Sequence, residues 1–305
     1  MTAATRSFRF GVVFTGATDA AGWAELARRV EGEGFSTLLV ADHYDNPMAC
    51  GPLIMAAATA TTTLRVGSYV YNNDFRHPAL LAKEAATIDV LSGGRLELGI
   101  GAGWAKEEYD EVGLAFDPPS VRADRFEEAI DVITRLLSGE TIKHKGEHYE
   151  LTDLVGSPRP TQARLPLLIG GGGPRMLRLA ARVADTVGLV PRSLPGGGLD
   201  PEDFTEASID KKVSWIRAAA AEAGRAAGEP ELSVLVFLLC RSIAEAARSP
   251  WMPPEVARGS PYALIGDPVA IVDQLVERRD RWGISYYVCF DTDIDTMIPI
   301  VRAIR

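Results

Sequence analysis

The sequence predicts an α/β protein built as a single (β/α)8 TIM barrel with extended loops at the C-terminal face of its strands. Two observations carry that expectation. Short β-branched runs alternate with amphipathic helical stretches along the whole chain, and eight strand–helix pairs can be counted, which favours a closed parallel barrel over an open doubly wound sheet. No serine-rich linker, charge block or compositional shift divides the chain, so residues 1–305 are read as one domain.

Taken in order, Phe8–Phe14 reads as the first strand and Ala20–Glu33 as a helix closed by Gly34. Thr37–Ala41 is the second strand, followed by an alanine-rich helix over Gly51–Thr61. Leu64–Val70 is the third, with a helix at Ala79–Leu91 that Ser92-Gly93-Gly94 stops before the fourth strand, Arg95–Gly101. Val121–Leu137 has the clearest helical face, with Phe126, Ile130, Ile133 and Leu137 at three- and four-residue spacing. Glu140–Leu151 reads as a polar hairpin outside the repeat. The strand Pro166–Gly170, a helix from Pro174, the strand Asp185–Val190 and a long helix near Phe204–Gly224 come next. Leu232–Cys240 is the seventh strand, Val269–Arg281 a helix, Ile284–Phe290 the eighth strand and Ile294–Ile304 the closing helix. Two irregular segments, Pro191–Asp203 and Ser249–Pro268, fall past strand ends and read as substrate-covering loops.

Composition narrows the function. Of 305 residues, 47% are hydrophobic and 24% charged, which suits one large core. A net charge of −9 disfavours nucleic acid or an anionic membrane as partner, but leaves room for a phosphate, which needs only local donors. Cys50, Cys240 and Cys289 are widely spaced, so neither disulfides nor structural zinc is expected. The N-terminus lacks the layout of a signal peptide, and no run approaches about 18 apolar residues. A cytoplasmic location is expected.

Four motifs carry chemistry. Asp42-His43 directly follows the second strand, where a barrel strand delivers side chains to its mouth. An imidazole there can donate to a developing anion or supply a proton near neutral pH, with Asp42 orienting it or holding backbone. A structural Asp–His pair explains the dipeptide equally well. Gly99-Ile100-Gly101-Ala102-Gly103-Trp104 fails the dinucleotide fingerprint because Trp104 stands where its last glycine belongs. Its glycines suit close approach of backbone to a flat ring, with Trp104 as a wall, or a tight barrel turn. Gly170-Gly171-Gly172-Gly173-Pro174 ends a strand and opens a helix, and bare N–H groups at a positive helix end form a phosphate site. Arg175 adds charge there or faces solvent. Asn72 and Asn73, after the third strand, offer amides to the polar edge of a pyrimidine-like ring, whereas His77 before Pro78 reads as structural. His144 and His148 lie in a hairpin and are not expected to bind metal. The acidic run Glu107–Glu111 reads as a solvated helix start.

The Asp42-His43 pair, the run Phe75–Trp104 (FRHPALLAKEAATIDVLSGGRLELGIGAGW) and the glycine bend before Pro174 together resemble the bacterial luciferase-like superfamily, and within it the deazaflavin-dependent oxidoreductases. The resemblance implies coenzyme F420, with FMN as the alternative, lying across the strand ends. It implies that Gly171, Gly172 and Gly173 hold the cofactor phosphate, and that Tyr69-Val70 forms a cis peptide backing the ring. Gly101, Ala102, Gly103 and Trp104 flank the ring, Asp42 and Asn72 complete the binding set, and His43 serves as acid or anion stabiliser. A small-molecule substrate and a homodimer are also implied. Trp104 occupies the position of a catalytic glutamate in the sugar-phosphate dehydrogenases of this group, which argues against that substrate. The expected reaction is hydride transfer between coenzyme F420 and an organic substrate. The rivals are a reduced-FMN monooxygenase on the same scaffold, a non-catalytic flavin- or deazaflavin-binding protein, and a phosphosugar enzyme.

Overall fold

A computed structural model describes residues 6–246, 252 and 254–304. The chain opens with β1 (Arg9–Phe14), α1 (Ala20–Gly32), β2 (Thr37–Val40), α2 (Cys50–Ala60), β3 (Arg65–Ser68) and a two-residue β4 (Tyr71–Asn72). Then come α3 (Pro78–Leu91), β5 (Leu96–Gly101), a short α4 (Lys106–Val112), α5 (Pro119–Leu137) and the hairpin β6 (Thr141–Lys145) and β7 (Glu150–Val155). β8 (Leu167–Gly171), α6 (Pro174–Val183), β9 (Thr186–Leu189), α7 (Glu206–Glu222) and β10 (Glu231–Leu235) continue the repeat. The chain ends with β11 (Leu238–Cys240), α8 (Ile243–Ala246), α9 (Pro254–Ala257), β12 (Ala263–Ile265), α10 (Pro268–Trp282), β13 (Ile284–Phe290) and α11 (Ile294–Ile304).

Eight parallel strands close on themselves in the order β1-β2-β3-β5-β8-β9-β10-β13, and β13 returns to β1 with Arg9 opposite Tyr286. Closure leaves the barrel without an edge strand, and the fold is a TIM barrel. β5 is buried at every position, as a strand covered on both faces must be. Helices take their ends from the sequence. Asp19 caps α1 by accepting from Gly22 N at 2.8 Å, and Trp23, Ala27 and Val30 then recur on one buried face. Asp267 and Pro268 start α10, and Gly283 at φ +82° stops it.

The N-terminal end of the barrel is plugged by charge. Arg9 reaches Glu97 at 2.5 Å and Glu231 at 2.8 Å, and Arg65 reaches Glu97 at 2.6 Å. Each buried carboxylate is thereby paired, which such groups require. The other end stays open to loops.

One expected strand is corrected. Leu232–Cys240 is two elements: β10 ends at Leu235, and Val236 and Phe237 carry the chain out of the barrel to β11, which pairs with β12. An unbroken apolar run gives no sign of that switch, because both segments are buried. The hairpin extends beyond its predicted end, to Val155. Of the loop expected over Ser249–Pro268, residues 249–251 and 253 lie outside the described residues. The remainder includes α9 and β12 rather than irregular chain. No helix among the described residues is long and apolar enough to cross a membrane.

Candidate active site at the barrel mouth

The loop after β2 delivers Asp42 and His43 to the C-terminal face, and the two have different fates. Asp42 is bound by the Arg76 guanidinium at 2.5 and 2.9 Å and accepts the Asn72 N–H at 2.9 Å. Both of its oxygens are engaged, so it clamps the β2 and β4 loops together. Arg76 also lies 4.5 Å over the Tyr71 ring, which orients the clamp.

His43 Nδ1 is 2.5 Å from Glu108 Oε1, and Glu108 Oε2 accepts the Tyr44 N–H at 3.0 Å. Glu108 is only 7% exposed. The acidic run is therefore not a solvated helix start at this residue. Lys106 pairs with Asp110 on the outer side of α4, which turns Glu108, Tyr109 and Val112 inward together. That i, i+1, i+4 face was the available signal. Burial disfavours a charged His43 ring, but the hydrogen bond and charge of Glu108, helped by Asp45 and Asp42, outweigh it and raise the imidazole above its usual value. Trp104 meets His43 edge to face at 5.6 Å. His43, Asp45 and Glu108 each bring a ligand-type atom within 4.8 Å of the others, and the Nδ1–Oε1 hydrogen bond joins two of the three.

The floor of the mouth is built around Val70. The Tyr69–Val70 peptide is cis, as the resemblance implies. Val70 lies between glycines on two strands: a Cβ on Gly101 would fall 2.9 Å from it, and one on Gly170 would fall 3.5 Å away. Tyr69 is buried. Asn72 turns inward, its Oδ1 accepting from Asp74 N at 3.0 Å and from Tyr109 Oη at 3.2 Å. Gly103, at φ +76°, leaves room for that pair, since a Cβ would sit 2.7 Å from Asn72 Oδ1. Asn72 Oδ1 and Gly103 thus also shape the loop itself.

The glycine bend joins β8 to α6. Gly171 O accepts from Val190 N, and a Cβ on Gly172 would lie 2.6 Å from Arg192 N and Cα. Gly173 is the N-cap, no side chain caps the helix, and a Cβ there would meet nothing within 4 Å. An uncapped helix start beside open space suits an anion. Arg175 does not contribute, because Asp124 at 2.6 Å and Glu127 at 2.8 Å hold it against α5. His77 caps α3, accepting from Ala79 N at 3.2 Å, and His144 Nε2 pairs with Glu128 at 2.8 Å.

Two further walls complete the mouth. The 191–203 loop is braced by Arg192–Asp200 and by a buried Lys212–Asp203 pair, both at 2.5 Å. Burial lowers the Lys212 ammonium below the usual lysine range despite Asp203. The loop tip rests on α4, where a Cβ on Gly197 would be 3.1 Å from the Lys106 Cβ. Past β13, Asp291 accepts from Thr15 N at 3.3 Å, and burial together with Asp291 lifts Asp293 to about 6. The sequence reading assigned no role to this pair.

Comparison with known proteins gives the family. The luciferase-like monooxygenase family profile matches residues 7–283. An F420-dependent glucose-6-phosphate dehydrogenase of Microbacterium testaceum is 34% identical over 184 residues, covering 58% of this chain and 52% of that protein. A 5,10-methylenetetrahydromethanopterin reductase of Archaeoglobus fulgidus is 35% identical over 157 residues, 52% of this chain and 45% of that one. The chain thus spans about half the length of these curated relatives. Among solved structures, the F420-dependent tetrahydromethanopterin reductase of Methanopyrus kandleri superposes with a TM-score of 0.77 at 21% identity, covering 97% of each chain. A long-chain alkane monooxygenase gives 0.74 at 17% identity, covering 98% of this chain and 92% of the other. These two likenesses speak to the fold. By its profile match across most of its length, the chain belongs to the luciferase-like monooxygenase family, and its relatives include F420-dependent oxidoreductases.

Proposed function

We propose that this protein is an oxidoreductase that transfers a hydride between coenzyme F420 and a small organic substrate at the barrel mouth. The observation that carries the reading is the floor: Val70, flanked by side-chain-free Gly101 and Gly170, leads directly to the uncapped glycine bend. A flat ring over such a floor can send an anionic tail to the helix start. In this reading Gly171, Gly172 and Gly173 supply backbone at the phosphate, Tyr69-Val70 backs the ring, and Gly101, Ala102, Gly103 and Trp104 border it. Deazaflavin supplies two-electron hydride chemistry when bound. This chain's part is to place the ring, exclude water beneath the 191–203 loop and hold a proton at His43.

A reduced-FMN monooxygenase is the second reading, supported by the family profile and by monooxygenase neighbours of the same fold. Fluorescence titration of the purified protein with each cofactor separates the two. Submicromolar F420 binding with weak FMN binding is expected, and the reverse order would install the second reading. His43→Ala should keep cofactor affinity within about threefold and lower turnover at least a hundredfold, the usual scale of general acid–base catalysis. The partner of the whole protein is read as a second copy. The neighbouring faces of α2 and α3 expose Pro52, Ala56, Leu80, Val90 and Leu91, with Lys83 among them. Sedimentation should give a dimer that Leu80→Arg dissociates.

A further inference from the structure

We infer that Glu108 is a positioning residue that fixes the His43 ring, Nδ1 bound and Nε2 turned to the mouth, and keeps it as the proton donor of the reaction. The donor role rests on the function proposed above; the His43–Glu108 pair itself does not.

The geometry is that of an oriented imidazole. Glu108 Oε1 is 2.5 Å from Nδ1, and Oε2 is pinned by the Tyr44 N–H at 3.0 Å, so the carboxylate has little freedom to swing. One face of the pair comes from α4 and the other from the loop after β2, two segments 65 residues apart in sequence. Nε2 bonds to no described residue, and the ring is 31% exposed while Glu108 is buried. The buried nitrogen is therefore committed and the outward one is available. A carboxylate behind Nδ1 sets which nitrogen carries the transferable proton.

The carboxylates nearest the ring favour its cation. Glu108 on α4, and Asp45 and Asp42 on its own loop, all raise its proton affinity. Arg76, paired with Asp42, offsets most of that carboxylate's share and leaves Glu108 as the chief partner. Trp104 presents an edge contact and no charge. The ring holds its proton more tightly than an ordinary histidine, and a protonated ring is an acid. If reduced deazaflavin delivered a hydride to the carbon of a polarised C=O or C=N bond, the π pair would move to the heteroatom and the cofactor would be oxidised, and His43 would supply the proton from Nε2 and be left neutral.

The test starts without cofactor. The chain has four histidines, so NMR titration of 15N-histidine-labelled protein, with His43→Ala for assignment, reads the ring directly. Wild type should titrate above the usual histidine value, with Nδ1 the hydrogen-bonded nitrogen. Glu108→Gln should lower proton affinity at least tenfold, and Glu108→Asp should restore most of it. Both variants should keep native far-UV circular dichroism. An unshifted midpoint in Glu108→Gln, or a wild-type ring that titrates at or below its usual value, overturns the inference. So does stoichiometric zinc uptake at micromolar metal that moves the His43 signals, since the triad would then be a cation site. Expected titrations in a protein that binds neither cofactor would sink the proposed function and leave the pairing intact.

Discussion

The two glycines between β8 and α6 invite one experiment with opposite expected signs. Gly173 is the N-cap of α6, and a side chain there enters open space. Aspartate is a better N-cap than glycine by a few tenths of a kcal/mol and gains slightly from the helix dipole, so Gly173→Asp should leave the apo protein as stable or marginally more so. The same carboxylate would stand against an anionic cofactor tail. A unit charge about 5 Å away, at an effective dielectric of about 20–40, costs roughly 1.7–3.3 kcal/mol, a loss of about 15- to 250-fold in affinity. A phosphate monoester with two charges loses more than a diester with one. Fluorescence titration at low and high salt reads the effect, which should shrink as salt screens it, while thermal melts without cofactor stay level. Gly172→Ala is the control: its methyl would press on Arg192 backbone at 2.6 Å, so stability should fall by about 1–3 kcal/mol, and affinity only as a consequence. Native stability with undiminished low-salt affinity in Gly173→Asp would refute phosphate capture at this bend.

The remaining expectations concern charge. Asp293, lifted to about 6 by burial and by Asp291, binds its proton more tightly folded than unfolded. Its contribution to stability is therefore complete below the ordinary aspartate range and lost as pH rises through about 6. Asp293→Asn should remove that loss and raise stability at pH 7.5 by on the order of 1 kcal/mol, after discounting for partial solvation, with no gain at pH 4; melts at the two pH values check it. Arg76→Met would strand Asp42, which is 11% exposed, and should cost about 2–4 kcal/mol in urea unfolding. If unfolding is unchanged, the clamp between the β2 and β4 loops is not a source of stability.

Much of the barrel was legible because its signals are local. Period-two and period-3.6 patterns, Asp267-Pro268 at one helix start and Gly283 at its end follow from backbone geometry and can be read residue by residue. The glycine bend and Asp42-His43 were visible for the same reason, as unusual residues at strand ends. What each of them does was decided elsewhere. Asp42 was spent on Arg76, Asn72 Oδ1 on Tyr109, and Arg175 on α5, because partners 34, 37 and 51 residues away arrive only when the barrel closes. Glu108 was the reverse case: an acid among acids on paper, buried against His43 in space. The sequence by itself determined the repeat, the strand ends and the stock of reactive groups, since those depend on neighbours a few residues apart. Only the tertiary structure decided which charges pair off and which remain for chemistry, because electrostatic energy depends on distance through space and on burial, and neither is written along the chain.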